Sequence, residues 1–122
     1  MAMALLASPS WGYKREDLDK FAATNTCQEC DLAGAKLHLA DFREANLEKA
    51  ILTKANLAGA DLRGTVLGVA FLPLAELAGA DLRGTVLTGA VLRYAKIDFA
   101  DFTKAKFCNT AVPEGQRIFK DC

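Results

Sequence analysis

From Asn25 onward the chain follows a hydrophobic rhythm of five. Divided there, it runs NTCQE, CDLAG, AKLHL, ADFRE, ANLEK, AILTK, ANLAG, ADLRG, TVLGV, AFLPL, AELAG, ADLRG, TVLTG, AVLRY, AKIDF, ADFTK, AKFCN and TAVPE, eighteen units with no insertion. The third position is Leu, Ile, Phe or Val in every unit but the first, which has Cys27. The first position is Ala in thirteen of the eighteen and otherwise Thr, Cys or Asn. A period of five drifts around an α-helix and cannot build one apolar face, and it also breaks the alternation of a strand. It fits instead a chain whose bulky and small apolar residues both point inward, the small one making room for its large neighbour.

The bends are written in the fifth position. Gly34, Gly59, Gly64, Gly79, Gly84 and Gly89 each follow a centre by two residues, and Pro73 and Pro113 follow theirs by one. Pro and then Gly at the two middle residues is the chemistry of a type II turn, where Gly supplies the positive φ. Each unit therefore predicts a short extended side plus a bend, and four sides close one square coil of twenty residues. That explains why LAGADLRGTVL at residues 57–67 returns letter for letter at 77–87: repetition at a fixed period marks a stacked array. The predicted fold is an all-β solenoid of about four coils, roughly 21 Å tall at about 4.8 Å per coil.

A stack of coils has open edges at both ends that need covering. REDLDKF places Leu18 and Phe21 three residues apart on an amphipathic helix over about residues 14–24, suited to lie on the first coil. PEGQRIFKDC begins with Pro113 at a helix-start position and offers Ile118 and Phe119 to the last coil. The expected organisation is a flexible leader or signal remnant at residues 1–13, a capping helix at 14–24, repeats at 25–112 and a C-terminal cap at 113–122, with short capping helices at both ends.

The A(D/N)LXX units ANLEK, ANLAG, ADLRG and ADFRE resemble the pentapeptide-repeat family, over residues 25–114. The resemblance implies a right-handed quadrilateral β-helix. The lead-in FAATNTCQECDLAGAKL is similar to secreted cyanobacterial members, in which a short helix and a CxxCxL segment enter the first coil. This implies an exported protein, in periplasm or thylakoid lumen, with the cytoplasm as the alternative.

Stacking turns the units into columns. One side carries Asp41, Asp61, Asp81 and Asp101 beside Arg43, Arg63 and Arg83. It reads as a solvated ladder, each exposed pair contributing well under about 1 kcal/mol. Another side carries Ile51, Phe71 and Val91 at the outward second position, between Asp31 and Ala111. Val66 and Val86 adjoin it, Val69 stands near the corner, and Leu74 and Tyr94 extend it. A continuous apolar stripe on an exposed wall marks an interaction site for a protein partner or a second copy, anchored by Phe71.

With 122 residues the chain is one domain, and 15 acids against 15 bases leave no field to draw nucleic acid or an anionic membrane. Some pentapeptide-repeat proteins resemble duplex DNA and bind type II topoisomerases, a role the balanced charge here disfavours. The apolar run at residues 3–7 is far short of the roughly twenty residues that span a bilayer. No phosphate loop, HExxH or paired-carboxylate signature appears, and His38 faces outward with no serine near it, so no catalytic residue, cofactor or metal is assigned.

Four cysteines lean towards an oxidising compartment. Cys27 and Cys30 are open to three readings: a zinc half-site, a redox catalyst, or a structural pair that is bonded or simply buried. A zinc site needs four ligands, and the other cysteine pair lies some 20 Å up the stack. A catalyst normally has its CxxC at a helix start, with a lowered thiol pKa. The structural readings are therefore favoured, and a redox-responsive protein is the alternative function. Cys108, outward beside the C-terminal cap, is placed to bond Cys122, closing a loop that would add about 3 kcal/mol in the chain-entropy model.

Overall fold

A computed structural model describes residues 14–122; the leader assigned to residues 1–13 lies outside the described residues. Helix α1, Arg15–Thr24, places Glu16 and Asp17 in its first turn and buries Leu18 and Phe21. It ends where Asn25 turns left-handed at φ 56°, its N–H donating to the Phe21 carbonyl. Phe21 then stacks on Phe42 of the first coil, ring centroids 4.9 Å apart. The helix thus covers the open end of the core with its one apolar face.

Beyond Asn25 the period of twenty is visible in the backbone. Parallel bridges join Thr26 to Asn46, Asp31 to Ile51, Lys36 to Asn56 and Asp41 to Asp61, and continue upward to Val91 with Ala111. Each offset is one coil. In every unit but that centred on Phe107 the N–H five residues after the first position closes a turn onto the third-position carbonyl, as Ala60 does to Leu57 at 3.0 Å. Four such bends per coil make four sides. The first side carries Cys27, Leu47, Leu67, Leu87 and Phe107 at its centres, and the second Leu32, Leu52, Leu72, Leu92 and Val112. The third carries Leu37, Leu57, Leu77 and Ile97, and the fourth Phe42, Leu62, Leu82 and Phe102.

The centres from Cys27 to Leu92 are buried, as are the first-position residues from Cys30 to Ala90. Three first positions, two on the first side and one on the second, are threonine, where alanine is the rule. Thr65, Thr85 and Thr110 are fully buried, and each hydroxyl donates to a carbonyl of the coil beneath: Phe42 at 2.7 Å, Leu62 at 2.8 Å and Leu87 at 2.6 Å. A buried hydroxyl is tolerated because it is hydrogen-bonded.

The bend demands a positive φ at the fifth position whether or not glycine is there. Gly64 and Gly84 stand at 67° and 69°, but Leu74, Tyr94 and Phe99 adopt 61–62°, and Val69 adopts 55°. The inter-coil bonds on either side hold these residues where their side chains alone would not.

The C-terminal cap differs from the expected helix. Strand β1, Thr110–Ala111, pairs antiparallel with β2, Arg117–Ile118. Between them Gly115 donates to Val112 at 2.8 Å and Val112 to Gln116 at 2.9 Å, with Gly115 at φ 94°. Pro113 therefore opens a tight turn, and Gly115 provides the left-handed residue that returns the chain as a hairpin. Among the described residues no helix is long and apolar enough to cross a membrane.

Candidate interaction surface

In an extended side the second and fourth positions point to the same, outer face, so what they carry decides what each wall can do. On the fourth side the answer is mutual neutralisation. Arg43 grips Asp41 with two parallel bonds, Nε to Oδ1 at 2.9 Å and Nη2 to Oδ2 at 2.8 Å, and Arg63–Asp61 and Arg83–Asp81 repeat the geometry. The same Asp oxygens accept the Arg backbone N–H at 3.0–3.2 Å. Links to the next coil are longer: Arg43 to Asp61 at 3.9 Å and Arg63 to Asp81 at 3.7 Å. The bond from Arg43 holds the Asp41 carboxyl down at about 2. Those from Arg63 and Arg83 lower Asp61 and Asp81, and the Thr103 hydroxyl lowers Asp101. Pairing falls within a unit first and between coils second.

The second side leaves apolar surface in solvent. Ile51, Phe71 and Val91 form one bridged column. Phe71 is 46% exposed and Ile51 40%, while Val91 is half-buried. Val66 and Val86 pair on the adjoining first side and are half-buried. Val69 lies at the corner between these sides, and Leu74 and Tyr94 occupy the opposite corner, all three exposed. The Arg93 guanidinium carbon stands 5.3 Å from the Tyr94 ring centroid, holding a cation over its face. The seven residues Ile51, Val66, Phe71, Leu74, Val86, Val91 and Tyr94 are thus brought to adjoining positions over three coils.

The stripe is closed at both ends. Below it, Lys14 donates to the Asp31 carbonyl at 3.0 Å, and the Asp17 carboxylate takes the Asp31 N–H at 2.8 Å. Above it, Ala111 is buried and paired to Arg117 of β2.

Both cysteine pairs are bonded. Cys27–Cys30 is buried beside α1, and among the described residues no cluster of His, Cys, Asp or Glu is arranged to hold a metal ion. Cys108–Cys122 ties the tail at Cys122 to the first side of the last coil. His38 is half-buried, with its Nδ1 sequestered and without a partner among the described residues. Sequence reasoning did not single out Leu39 or Phe99, 73% and 97% exposed. Their signal was a bulky apolar residue in the fifth position, where thirteen of the eighteen units have glycine or a polar residue.

The geometry is that of a four-sided β-solenoid built from five-residue sides. The pentapeptide repeats family model matches residues 27–68 and 74–108 in eight copies, and the chain belongs to that family. A pentapeptide repeat protein from Nostoc Pcc 7120 is 30% identical over 75% of this chain and 72% of its own, with a TM-score of 0.40. QnrB1, a plasmid-mediated fluoroquinolone resistance protein, is 21% identical over 82% of this chain and 50% of its own, with a TM-score of 0.56. A pentapeptide repeat protein of the Arabidopsis thaliana thylakoid lumen is 23% identical over 69% and 66%, with a TM-score of 0.34. No curated protein matches the chain.

Proposed function

We propose that this protein is a non-enzymatic interaction scaffold. It is a right-handed quadrilateral β-helix of about four coils that engages a protein partner or a second copy of itself through the stripe on its second side. The observation that carries this reading is the exposed column of Ile51 and Phe71, flanked by Leu74 and Tyr94, on a wall whose counterpart on the fourth side is charged. Apolar side chains held in solvent by a rigid backbone favour association, since burying them costs no further ordering of the chain. The interior is filled by Leu and Phe, which supports a binding rather than a catalytic role. Two disulfides favour an exported protein, in periplasm or thylakoid lumen.

A redox-responsive role is the second reading; the pair expected to carry it, Cys27–Cys30, is buried, and the Cys108–Cys122 bond, whose Cys122 is exposed, favours it instead. Imitation of DNA, as the likeness to a fluoroquinolone resistance protein brings to mind, is opposed by the arginine paired with each of Asp41, Asp61 and Asp81.

The test is Phe71→Asp. It should abolish self-association in light scattering and partner capture in pull-down, while leaving the β-rich circular dichroism and the melting temperature near those of the parent. Association that survives the change rules the stripe out.

A further inference from the structure

Every side of a coil makes three backbone hydrogen bonds to the coil above. On the third side Leu77 donates to Lys96 at 2.7 Å, Gly79 to Asp98 at 2.8 Å, and the Ala75 carbonyl accepts from Lys96 at 2.9 Å. On the fourth side Leu82 donates to Asp101 at 2.8 Å, Gly84 to Thr103 at 3.0 Å, and Ala80 accepts from Asp101 at 3.0 Å. One coil higher the equivalent groups are the N–H of Ile97 and Phe99 with the Ala95 carbonyl, then the N–H of Phe102 and Lys104 with the Ala100 carbonyl. Among the described residues none of these six has a hydrogen-bond partner.

The other two sides of the same end are closed by extended chain. The second side is covered by β2, paired to Thr110 and Ala111. On the first side Asp121 donates its N–H to the Phe107 carbonyl at 2.8 Å and takes the Phe107 N–H on its carboxylate at 2.8 Å, held there by Cys108–Cys122. Two of four edges thus receive a polypeptide strand that is not a repeat. The remaining two offer the same donors and acceptors in the same spacing. Beneath them the core is unfinished: Ile97 and Phe102 are half-buried, where Leu77 and Leu82 one coil lower are fully buried. With Phe107, Val112 and Ile118 they line a cavity of about 290 Å³.

We propose that the third and fourth sides of the last coil form a strand-acceptor edge for an extended peptide segment of a partner protein. This segment has the pattern small–x–bulky apolar–x–x repeated twice, and it would lie down as one further half coil. The stack's own rule specifies the ligand. Its third positions would place two bulky apolar side chains over Ile97 and Phe102. Its second positions would donate N–H groups to Ala95 and Ala100, so proline is excluded there. Its second- and fourth-position carbonyls would accept the four free N–H groups, which is strand addition with apolar anchoring. The site lies at the end of the rod, away from the lateral stripe.

The probe is the acetylated, amidated and fluorescently labelled peptide ANLAGADLRG, the sequence of residues 55–64, which occupies these two sides two coils lower. Titrated with the full oxidised chain, it should show saturable binding by anisotropy. N-methylation at its second and seventh residues should weaken binding by at least about tenfold, by removing the two donors. Asp at both leucines should abolish it. Phe102→Asp in the protein should also abolish it, whereas Phe71→Asp should leave it unchanged. The peptide modifications decide the matter even if Phe102→Asp disturbs the last coil. Absence of saturation up to about 1 mM, a weak interaction on any scale, overturns the proposal, as does indifference to N-methylation. So does a concentration-dependent dimer in sedimentation that persists in Phe71→Asp and that the peptide does not dissociate, since a second copy would then own the edge.

Discussion

Val69 holds a conformation that a β-branched residue avoids. Its φ is 55°, and among the residues at positive φ it is the one with a branched Cβ. In the left-handed region an L-residue's Cβ crowds the following carbonyl, at about 1–2 kcal/mol, and branching narrows the rotamers left to relieve it. The side chain is 56% exposed, so its contribution to the core is small. It leans on the bend one coil up, where its Cγ2 would meet a Cβ added to Gly89 at 3.3 Å. Val69→Gly removes the strain and adds about 0.5–1 kcal/mol of unfolded-chain entropy. The net gain is up to about 1.5 kcal/mol, which for a domain of this size raises the melting temperature by up to about 6 °C. Thermal unfolding followed by circular dichroism, with Val69→Asn and Val69→Ala alongside, separates the contributions. Gly should exceed Asn, whose short polar side chain tolerates this region, and Asn should exceed Ala. A lower melting temperature for Val69→Gly, or Ala matching Gly, would refute the strain argument.

Two further outcomes follow from the charges and the tail. Asp41, Asp61, Asp81 and Asp101 have carboxyls held below the ordinary value of 3.8, Asp41 at about 2. Groups depressed in the folded state lend stability above their unfolded pKa and lose it as pH falls through the folded one. Melting temperature should therefore hold above about pH 4 and fall towards pH 2, and Arg43→Gln should shrink that fall; an unchanged acid profile in the variant contradicts the pairing. Replacing Cys108 and Cys122 together by Ser should cost up to about 3 kcal/mol in urea unfolding. It should also speed amide exchange at Phe107, whose N–H depends on Asp121; equal protection would show that the tail docks without its bond.

The parts of the fold legible in the sequence were those fixed by one repeated local rule. Alternating small and bulky inward residues set the coil, and glycine in the fifth position set the bends. Leu18 and Phe21, one turn apart, set the helical cap. What escaped was decided by competition between neighbours. Pro113 is equally at home at a helix start and at a tight turn, and Gly115 two residues later tips it to the turn. Leu74 and Tyr94 give no sign in sequence that they take a left-handed φ, because the flanking inter-coil bonds impose it, as in Leu74 N–H to Arg93 at 2.9 Å. The Asp–Arg ladder was visible as columns, but its closest bonds run within a unit, because residues two apart on an extended side share a face. The open edge was not legible at all: it depends on where residues 116–122 go after the last bend.

A rod of this kind could in principle add to itself without end, since each coil is a template for the next. The two ends here are unlike. At the lower end α1 lies over the first coil: Asp17 takes the Asp31 N–H, Thr24 Oγ1 the Thr26 N–H at 3.3 Å, and Phe21 covers Phe42. At the upper end half of the edge is already occupied by the chain's own strands. A heterologous contact that would propagate a filament needs matching edges at both ends, and α1 lies over part of the lower one. The fourth side satisfies its own charges and offers a partner little, and the interior column is so uniform that it cannot tell partners apart. The two surfaces proposed for binding, the second side and the upper end, point in different directions. On the two proposals, one rod would hold one neighbour beside it and one strand above it, and Phe71→Asp and Phe102→Asp should break the two bindings separately.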